Sequence, residues 1–542
     1  MTAFQASFKT VARFVAIATP TLAAGCAAAP GWTATTAQAA AFAARGTAAS
    51  ADDAVKRAIL SGPEVPLTVA QVRARLMAQG GRLKTHIVNN RGHENPEAGS
   101  FSFFETYTGP MTGGTVKDGE LFIGFFSERQ GDALAVMQSF EPGLMIELIA
   151  WDYTKQAYNF WELVGTGKTA EWHYRGDSAD ILADVAAVNM GQAKPAFGAR
   201  LRCSGCHTLG GPIMKELDAP NNDWWTDSHK LELGSMKLQA DSETTAMAAQ
   251  LFKSAVDASD LSRQVEGGMK RLMQARAARG GDGQSLKQQL RSLFTPMEIN
   301  LASDITPFHT RSDVALPAAF FVDARLTGPQ PGIPVAAAQY RAALAEVGSR
   351  FAPDEANREE TRHAFVVPVR SAIDHLAIDG LVRRGLLDEE LIADVLAVDA
   401  TNPLHSKARA SLLRFVPDQA TSVAALRADL VANLQKAPHD AAAKELLANL
   451  TDPARTAAFH RKRAIGVLQT LKAAKANPAA VVGWLKLASQ RRAEVAAAET
   501  SQNPRGTILE PGFRVIFPVD RVNARPGALR LNPSTGLVES NR

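Results

Sequence analysis

Cysteine is scarce in this chain. Only Cys26, Cys203 and Cys206 occur in 542 residues, so the fold must be held by apolar burial and hydrogen bonds rather than by a disulfide framework. A structural zinc site is a poor explanation of the pair, because such sites ordinarily take four protein ligands, often from two cysteine pairs, and one pair stands alone here. At 542 residues the chain exceeds what one compact core accommodates, and two or three domains are expected. Apolar residues at 46% and charged residues at 21% are ordinary for a globular protein, which removes any need for a disordered or fibrous reading. The net charge is +4 with both signs interleaved. No run of Lys or Arg would neutralise a row of phosphates, and no nucleic-acid partner is expected.

Lys9 and Arg13, the apolar run 14–24 and the small residues after it have the layout of a secretory signal peptide. The run is too short to span a bilayer as a mature helix. Leu22-Ala23-Ala24-Gly25-Cys26 is similar to a bacterial lipobox, although Leu22 stands one step further from the cysteine than is usual. Two outcomes stay open: lipidation of Cys26, giving a tethered outer-membrane lipoprotein, or cleavage among the following alanines, giving a soluble periplasmic product. The expected organisation is a signal peptide over 1–26, an Ala/Thr-rich tether over 27–50, a β-rich domain over 51–176, a domain carrying the cysteine pair over 177–351, an α-helical domain over 352–501 and a Pro/Gly/Arg-rich tail over 502–542.

Asp52 to Leu60 and Thr68 to Gln79 read as short helices, the second with Thr68 as N-cap and Val69, Val72 and Leu76 on one face. Between Leu83 and Tyr174 apolar residues alternate and turns intervene. Strands are expected over 101–108, 120–127, 133–139, 144–152 and 157–164, the last two joined at Thr154-Lys155-Gln156, in an antiparallel sheet with one buried face. Asp177 or Ser178 caps a helix through Asn189, and Pro195 opens another that runs into the cysteine pair. Beyond about residue 245 helical periods dominate, at 287–294, 336–351, 374–384, 388–398, 424–435, 441–450, 455–476 and 480–498. The tail is expected to wrap the surface, with 513–517 as a further strand. No internal repeat supports a solenoid.

Cys203-Ser204-Gly205-Cys206-His207 is a C-x-x-C-H string, the signature of covalent c-type haem attachment. Thiols three residues apart lie on one helical turn and add to two vinyl groups on one side of the porphyrin, and the adjacent imidazole reaches the iron. A redox-active dithiol is the competing reading. It would follow an apolar strand in a βαβ setting, whereas 195–202 reads as helix with Phe197 and Leu201 on one face. Export to an oxidising compartment suits both readings, and c-type maturation requires it.

Phe197-Gly198-Ala199-Arg200-Leu201-Arg202 leading into the C-x-x-C-H string, followed by Thr208 and Gly210-Gly211-Pro212, resembles the cytochrome c family. The remainder of the chain resembles no family that can be named. With the sheet and the helical periods the expected fold class is α+β, and the resemblance implies that the part between the N-terminal antiparallel sheet and the C-terminal α-helical domain is a mono-haem, cytochrome c-like helical domain. It implies one haem c per chain, bound through Cys203 and Cys206 with His207 as proximal iron ligand. Phe197 and Gly198 would let the first helix cross the last one closely, although their offsets from Cys203 depart from the family's pattern. The carbonyl of Pro212 would accept a hydrogen bond from the His207 imidazole and raise its donor strength.

Electron-carrying members place a methionine thioether opposite the histidine. Met297, after a helical period and Pro296, is the first candidate for the distal ligand and Met214 the second. His229, His309 and an open position are the further alternatives. Arg200, Arg202 and Lys215 are either partners of the haem propionates or solvated helix charges. Trp151, Trp161, Trp172, Trp224 and Trp225 flank the motif, with packing as the simpler role and electron transfer as the other. His86, His93 and Glu105 would form a polar site on the sheet. Three functions follow: an exported electron-transfer cytochrome serving a redox partner protein or a small-molecule donor or acceptor; a haem enzyme, peroxidase-like or acting on another small ligand, with an open sixth iron position; and a haem-based sensor or assembly protein whose helical half binds a partner.

Overall fold

The computed structural model describes residues 48–89, 101–127, 144–165, 169–189, 203, 207, 209–212, 251, 254–256, 259–280, 284–296, 299–304, 312–348, 364–502, 522 and 525–541. The chain is α+β, with an antiparallel sheet in its N-terminal part and helices dominating its C-terminal part. Cys26, Cys206, the expected strand over 133–139, the helix before Cys203 and the tail segment 513–517 lie outside the described residues.

The sheet comprises β1 (Arg82–Asn89), β2 (Phe101–Met111), β3 (Gly114–Val116), β4 (Leu121–Ser127), β5 (Leu144–Asp152), β6 (Ala157–Gly165) and β7 (Ala170–Asp177). Their order is β1-β2-β4-β5-β6-β7, with β3 paired to β2. All these pairings are antiparallel. At the β5–β6 turn, the Asp152 carboxylate accepts from the backbone N–H groups of Thr154 and Lys155, at 3.0 and 2.7 Å, and Gln156 takes a positive φ. That short polar side chain replaces the backbone partners which the turn removes.

The sheet is buried on both faces, which corrects the expectation of one buried face. Apolar residues occupy both parities of the strands, as in the unbroken run Ile-Ala-Trp of β5, so neither face is left to water. One face gathers Tyr107, Leu121, Ile123, Leu148, Trp161 and Leu163 under α1 (Val69–Met77) and the segment Val55–Ile59. The Thr68 hydroxyl accepts from the Gln71 amide and caps α1 as expected, with Val69, Val72 and Leu76 buried. Val55–Ile59 is a single π-helical turn, closed by the Leu60 amide to the Val55 carbonyl at 2.9 Å. The opposite face gathers Phe104, Phe122, Ile149, Trp151, Tyr158 and Phe160, and Cys203 and Leu209 pack there.

Two helices complete that second layer: α2 (Ser178–Asn189), which starts where the sequence places it, and α3 (Ser259–Ala278). Leu261, Val265, Met269, Leu272 and Met273 form the stripe of α3 that covers the aromatic face of the sheet. Leu376, from the helix Ala372–Arg383, joins the same cluster, so α3 is sandwiched between the sheet and the C-terminal helices. The C-terminal core runs from Leu286 to Leu531 and takes in residues on both sides of position 352. Its helices follow the expected periods, among them Leu286–Phe294, Ala337–Val347, Val423–Gln435, Ala441–Thr451, Ala457–Ala474 and Pro478–Gln502. The tail contributes a hairpin, Leu529–Leu531 with Val538–Ser540, and Trp484 donates its indole N–H to the Gly536 carbonyl at 2.8 Å. Among the described residues no helix is long and apolar enough to cross a membrane.

Candidate functional site

Cys203 is helical, and the His207 amide donates to its carbonyl at 2.8 Å, so the two side chains lie one turn apart on one face. Both are buried, at 4% and 6% exposure. His207 stands over the aromatic sheet face, its ring 5.4 Å from that of Phe160. Its Nδ1 lies 2.9 Å from the Gly211 carbonyl oxygen. A carbonyl only accepts, so Nδ1 carries the proton and donates it, which leaves the lone pair of the neutral ring on Nε2. The acceptor is thus the carbonyl one residue before Pro212, and not that of Pro212 as the resemblance implied.

The turn after the motif brings that carbonyl into place. The Gly210 amide donates to the His207 carbonyl at 2.7 Å, and Gly210 has φ +72° with room for no side chain, since a Cβ there would sit 2.6 Å from the Ser178 carbonyl oxygen. Gly211 lies flat on α3: a Cβ on it would meet Met269 Sδ at 2.2 Å. One residue earlier, the Leu209 carbonyl accepts from Nη2 of the buried Arg276 at 2.9 Å. The turn after the motif is therefore held by α2 on one side and α3 on the other.

The α3 contacts leave little trace in the linear sequence. The stripe Leu261-Val265-Met269-Leu272-Met273 has the helical spacing that would reveal the helix, but Gly267 and Gly268 in its middle lower helix propensity and break the pattern to the eye. Asp260, in its first turn, ties α3 to β1 through Lys84 Nζ at 2.8 Å. Burial raises the Asp260 pKa, but hydrogen bonds from Lys84, Gln264 and Arg263 outweigh it and bring the group down to about 2. A carboxyl that ionises more readily folded than unfolded stabilises the fold above about pH 4 and loses that contribution as pH falls toward 2. The carboxylate is partly solvated, so the contribution is about 1 kcal/mol. Between pH 5 and pH 3 less than half of this is lost, and Gln264 and Arg263 still hold the carboxylate in Lys84→Met, so urea unfolding is expected to show a loss smaller by a few tenths of a kcal/mol in the variant than in the parent chain.

The polar site expected of His86, His93 and Glu105 is not assembled. In the β1–β2 register His86 faces Phe104 and Thr85 faces Glu105, so His86 and Glu105 project from opposite faces of the sheet, and His93 lies outside the described residues. Glu105 pairs with Arg73 and with the Thr85 hydroxyl, and His86 Nε2 lies 3.3 Å from the Thr106 hydroxyl. Of the tryptophans, Trp151 shares the motif face, edge-on to Tyr158 with centroids 5.1 Å apart. Trp161 and Trp172 lie on the other face and donate to Asp53 and to the Pro66 carbonyl, at 2.9 and 2.8 Å. Trp224, Trp225, Met214, Met297, His229, His309, Arg200, Arg202 and Lys215 lie outside the described residues.

A cross-strand row that includes His86, Glu147, Glu162 and His173 crosses the motif face beside Phe160. Neighbouring pairs in register are His86 with Phe104, Phe104 with Gly124, Gly124 with Glu147, Glu147 with Glu162, and Glu162 with His173. Two carboxylates directly opposite each other are unfavourable on a sheet. Glu162 is buried and is paired with Arg175 Nε. Among the described residues no group of three or more His, Cys, Asp or Glu is arranged to hold a metal ion. No protein-family model matches the chain, and no curated protein or solved structure is significantly similar to it.

Proposed function

We propose that the chain is an exported c-type cytochrome with one haem, bound through Cys203 and Cys206 with His207 as proximal ligand, and that it transfers single electrons to or from a redox partner. The observation that carries this reading is the fixed tautomer of His207: Nδ1 is committed to the Gly211 carbonyl, so the ring presents the nitrogen that ligates iron. The donor set fits the group. The Cys203 thiol and the His207 imidazole, one turn apart, lie on one face against the aromatic side chains of the sheet. When bound, the haem would supply a one-electron couple at its iron. The chain's own part is to orient the imidazole through the Gly210-Gly211 turn, to keep water from Cys203 and His207, and to hold the Nδ1 proton. The distal ligand is proposed to be Met297, with Met214 as the alternative, and the protein to reside in the periplasm, tethered where Cys26 is lipidated.

A second reading, a haem enzyme acting on a small ligand at an open iron position, is favoured by the polar row. Glu147, Glu162 and His173 lie on the face that carries Phe160, and acid–base groups there would serve proton transfer.

The chain produced in a host competent for c-type maturation is expected to be coloured, to retain its chromophore through denaturation, and to have an intact mass raised by one haem. A double replacement, Cys203→Ala with Cys206→Ala, should abolish covalent retention entirely. His207→Ala should leave the thioether bonds while changing the ligation spectrum. Colourless mature protein of unmodified mass would end the proposal. A low-spin ferric spectrum with a sulfur-to-iron band favours the carrier, and a high-spin form that binds cyanide readily favours the enzyme.

A further inference from the structure

Arg276 sits far from the motif in sequence and has no part in the C-x-x-C-H signature, yet its side chain reaches the proximal turn. It lies on the last turn of α3 and is 7% exposed. Its Nη2 donates to the Leu209 carbonyl at 2.9 Å, and its Nη1 lies 3.7 Å from Met273 Sδ, one turn back on the same helix. Leu209 is followed directly by Gly210, whose amide donates to the His207 carbonyl, and by Gly211, whose carbonyl receives the imidazole proton. Three successive residues of one turn thus connect the guanidinium to the ring. Met269 packs against Gly211 from the same face of α3.

We propose that Arg276 is a positioning residue for the proximal imidazole: it fixes the Leu209 peptide and, through the Gly210-Gly211 turn, holds the Gly211 carbonyl at the distance that keeps the His207 Nδ1 proton bonded. A planar guanidinium suits this task, because it is charged throughout the working pH range and presents donors in a rigid fork. A hydrogen bond from a charged donor to a buried carbonyl is also among the stronger ones available. The effect of Arg276 on the imidazole is transmitted by the backbone of the turn. The inference rests on the haem reading of the site.

The test is hydrogen exchange of the His207 Nδ1 proton, followed by NMR on ferrous holoprotein labelled with 15N-histidine, with carbon monoxide added where the iron is high-spin. In Arg276→Met the exchange of that proton is expected to speed up by about tenfold or more, while the amides of Leu148 and Phe160 in the neighbouring strands keep their rates. Arg276→Lys, which restores a charged donor, should recover most of the protection. An Nδ1 proton that exchanges equally slowly in Arg276→Met, or speeds up only in step with the strand amides, overturns the proposal and leaves Arg276 a purely structural residue. If Arg276→Met does not fold, Arg276→Gln and Arg276→Lys decide by the same ratio. A parent chain without haem would refute the haem reading itself, an outcome visible before any exchange is measured.

Discussion

Arg370→Met is expected to destabilise the C-terminal core by about 3–5 kcal/mol and to reverse part of its pH dependence. Arg370 ends the strand Ala364–Arg370 and is 3% exposed at its side chain; Asp323, its partner at 2.8 Å, is 2% exposed. It also lies 3.4 Å from Asp374 in the first turn of Ala372–Arg383, and it donates to the Ser292 carbonyl of Leu286–Phe294. One guanidinium therefore joins a strand and two helices to the turn that Asp323 caps through the Arg325 amide. Burial pushes the Asp323 pKa up, but Arg370 and then His375 draw it down further, and the net shift is downward. In the parent chain this carboxylate stabilises the fold above the ordinary carboxylate range and ceases to do so as pH falls. Without Arg370 burial prevails and the pKa rises, so the variant should become less stable as pH increases from about 4 to 7. Urea or guanidinium unfolding at three pH values reads both effects. A variant whose stability tracks the parent's at every pH would show that the pair carries no such weight.

Gly210→Ala is the second large effect, and it falls on the candidate site. The φ of +72° costs an alanine about 1–2 kcal/mol. The added Cβ would lie 2.6 Å from the Ser178 carbonyl, a backbone atom at the start of α2 that cannot yield without moving the helix. We expect a total of about 3 kcal/mol or more, and loss of the His207 Nδ1 hydrogen bond, because the turn that presents the Gly211 carbonyl is displaced. Gly211→Ala offers a contrast. Its collision is with the Met269 side chain, so Met269→Ala should rescue much of the damage there and none of it in Gly210→Ala. Equal rescue in both backgrounds would contradict the described turn.

Much of the local structure could be read without coordinates. Thr68 as cap of α1, the start of α2 at Ser178, strands β5 and β6 with the Thr154-Lys155-Gln156 turn between them, and the C-terminal helical periods are all visible, because each is decided by residues a few positions apart. The C-x-x-C-H string is likewise a local signal: its spacing alone places Cys203 and His207 on one turn. The two-sided burial of the sheet was also present in the apolar residues at both parities of β5, a pattern that alternation-based reading passes over.

What the linear pattern did not show is which distant segments meet. Helix α3 is hidden because two glycines interrupt its stripe, and with it the residues that hold the turn after His207, Met269 and Arg276, each more than 60 positions beyond that histidine. His86 and Glu105 looked like neighbours in composition, yet a register decided by pairing between two strands sends them to opposite faces. Nothing local in the sequence marks Arg370, Arg409 and Arg491 as buried, yet each is: the first against carboxylates, the others against backbone carbonyls. Caps, periods and the one-turn spacing of Cys203 and His207 were determined by the sequence alone, since their energies come from contacts within a turn or a strand. The imidazole's acceptor, the cover over the motif and the burial of charge were decided only by the tertiary structure, because those energies arise between segments whose separation along the chain leaves no periodic trace.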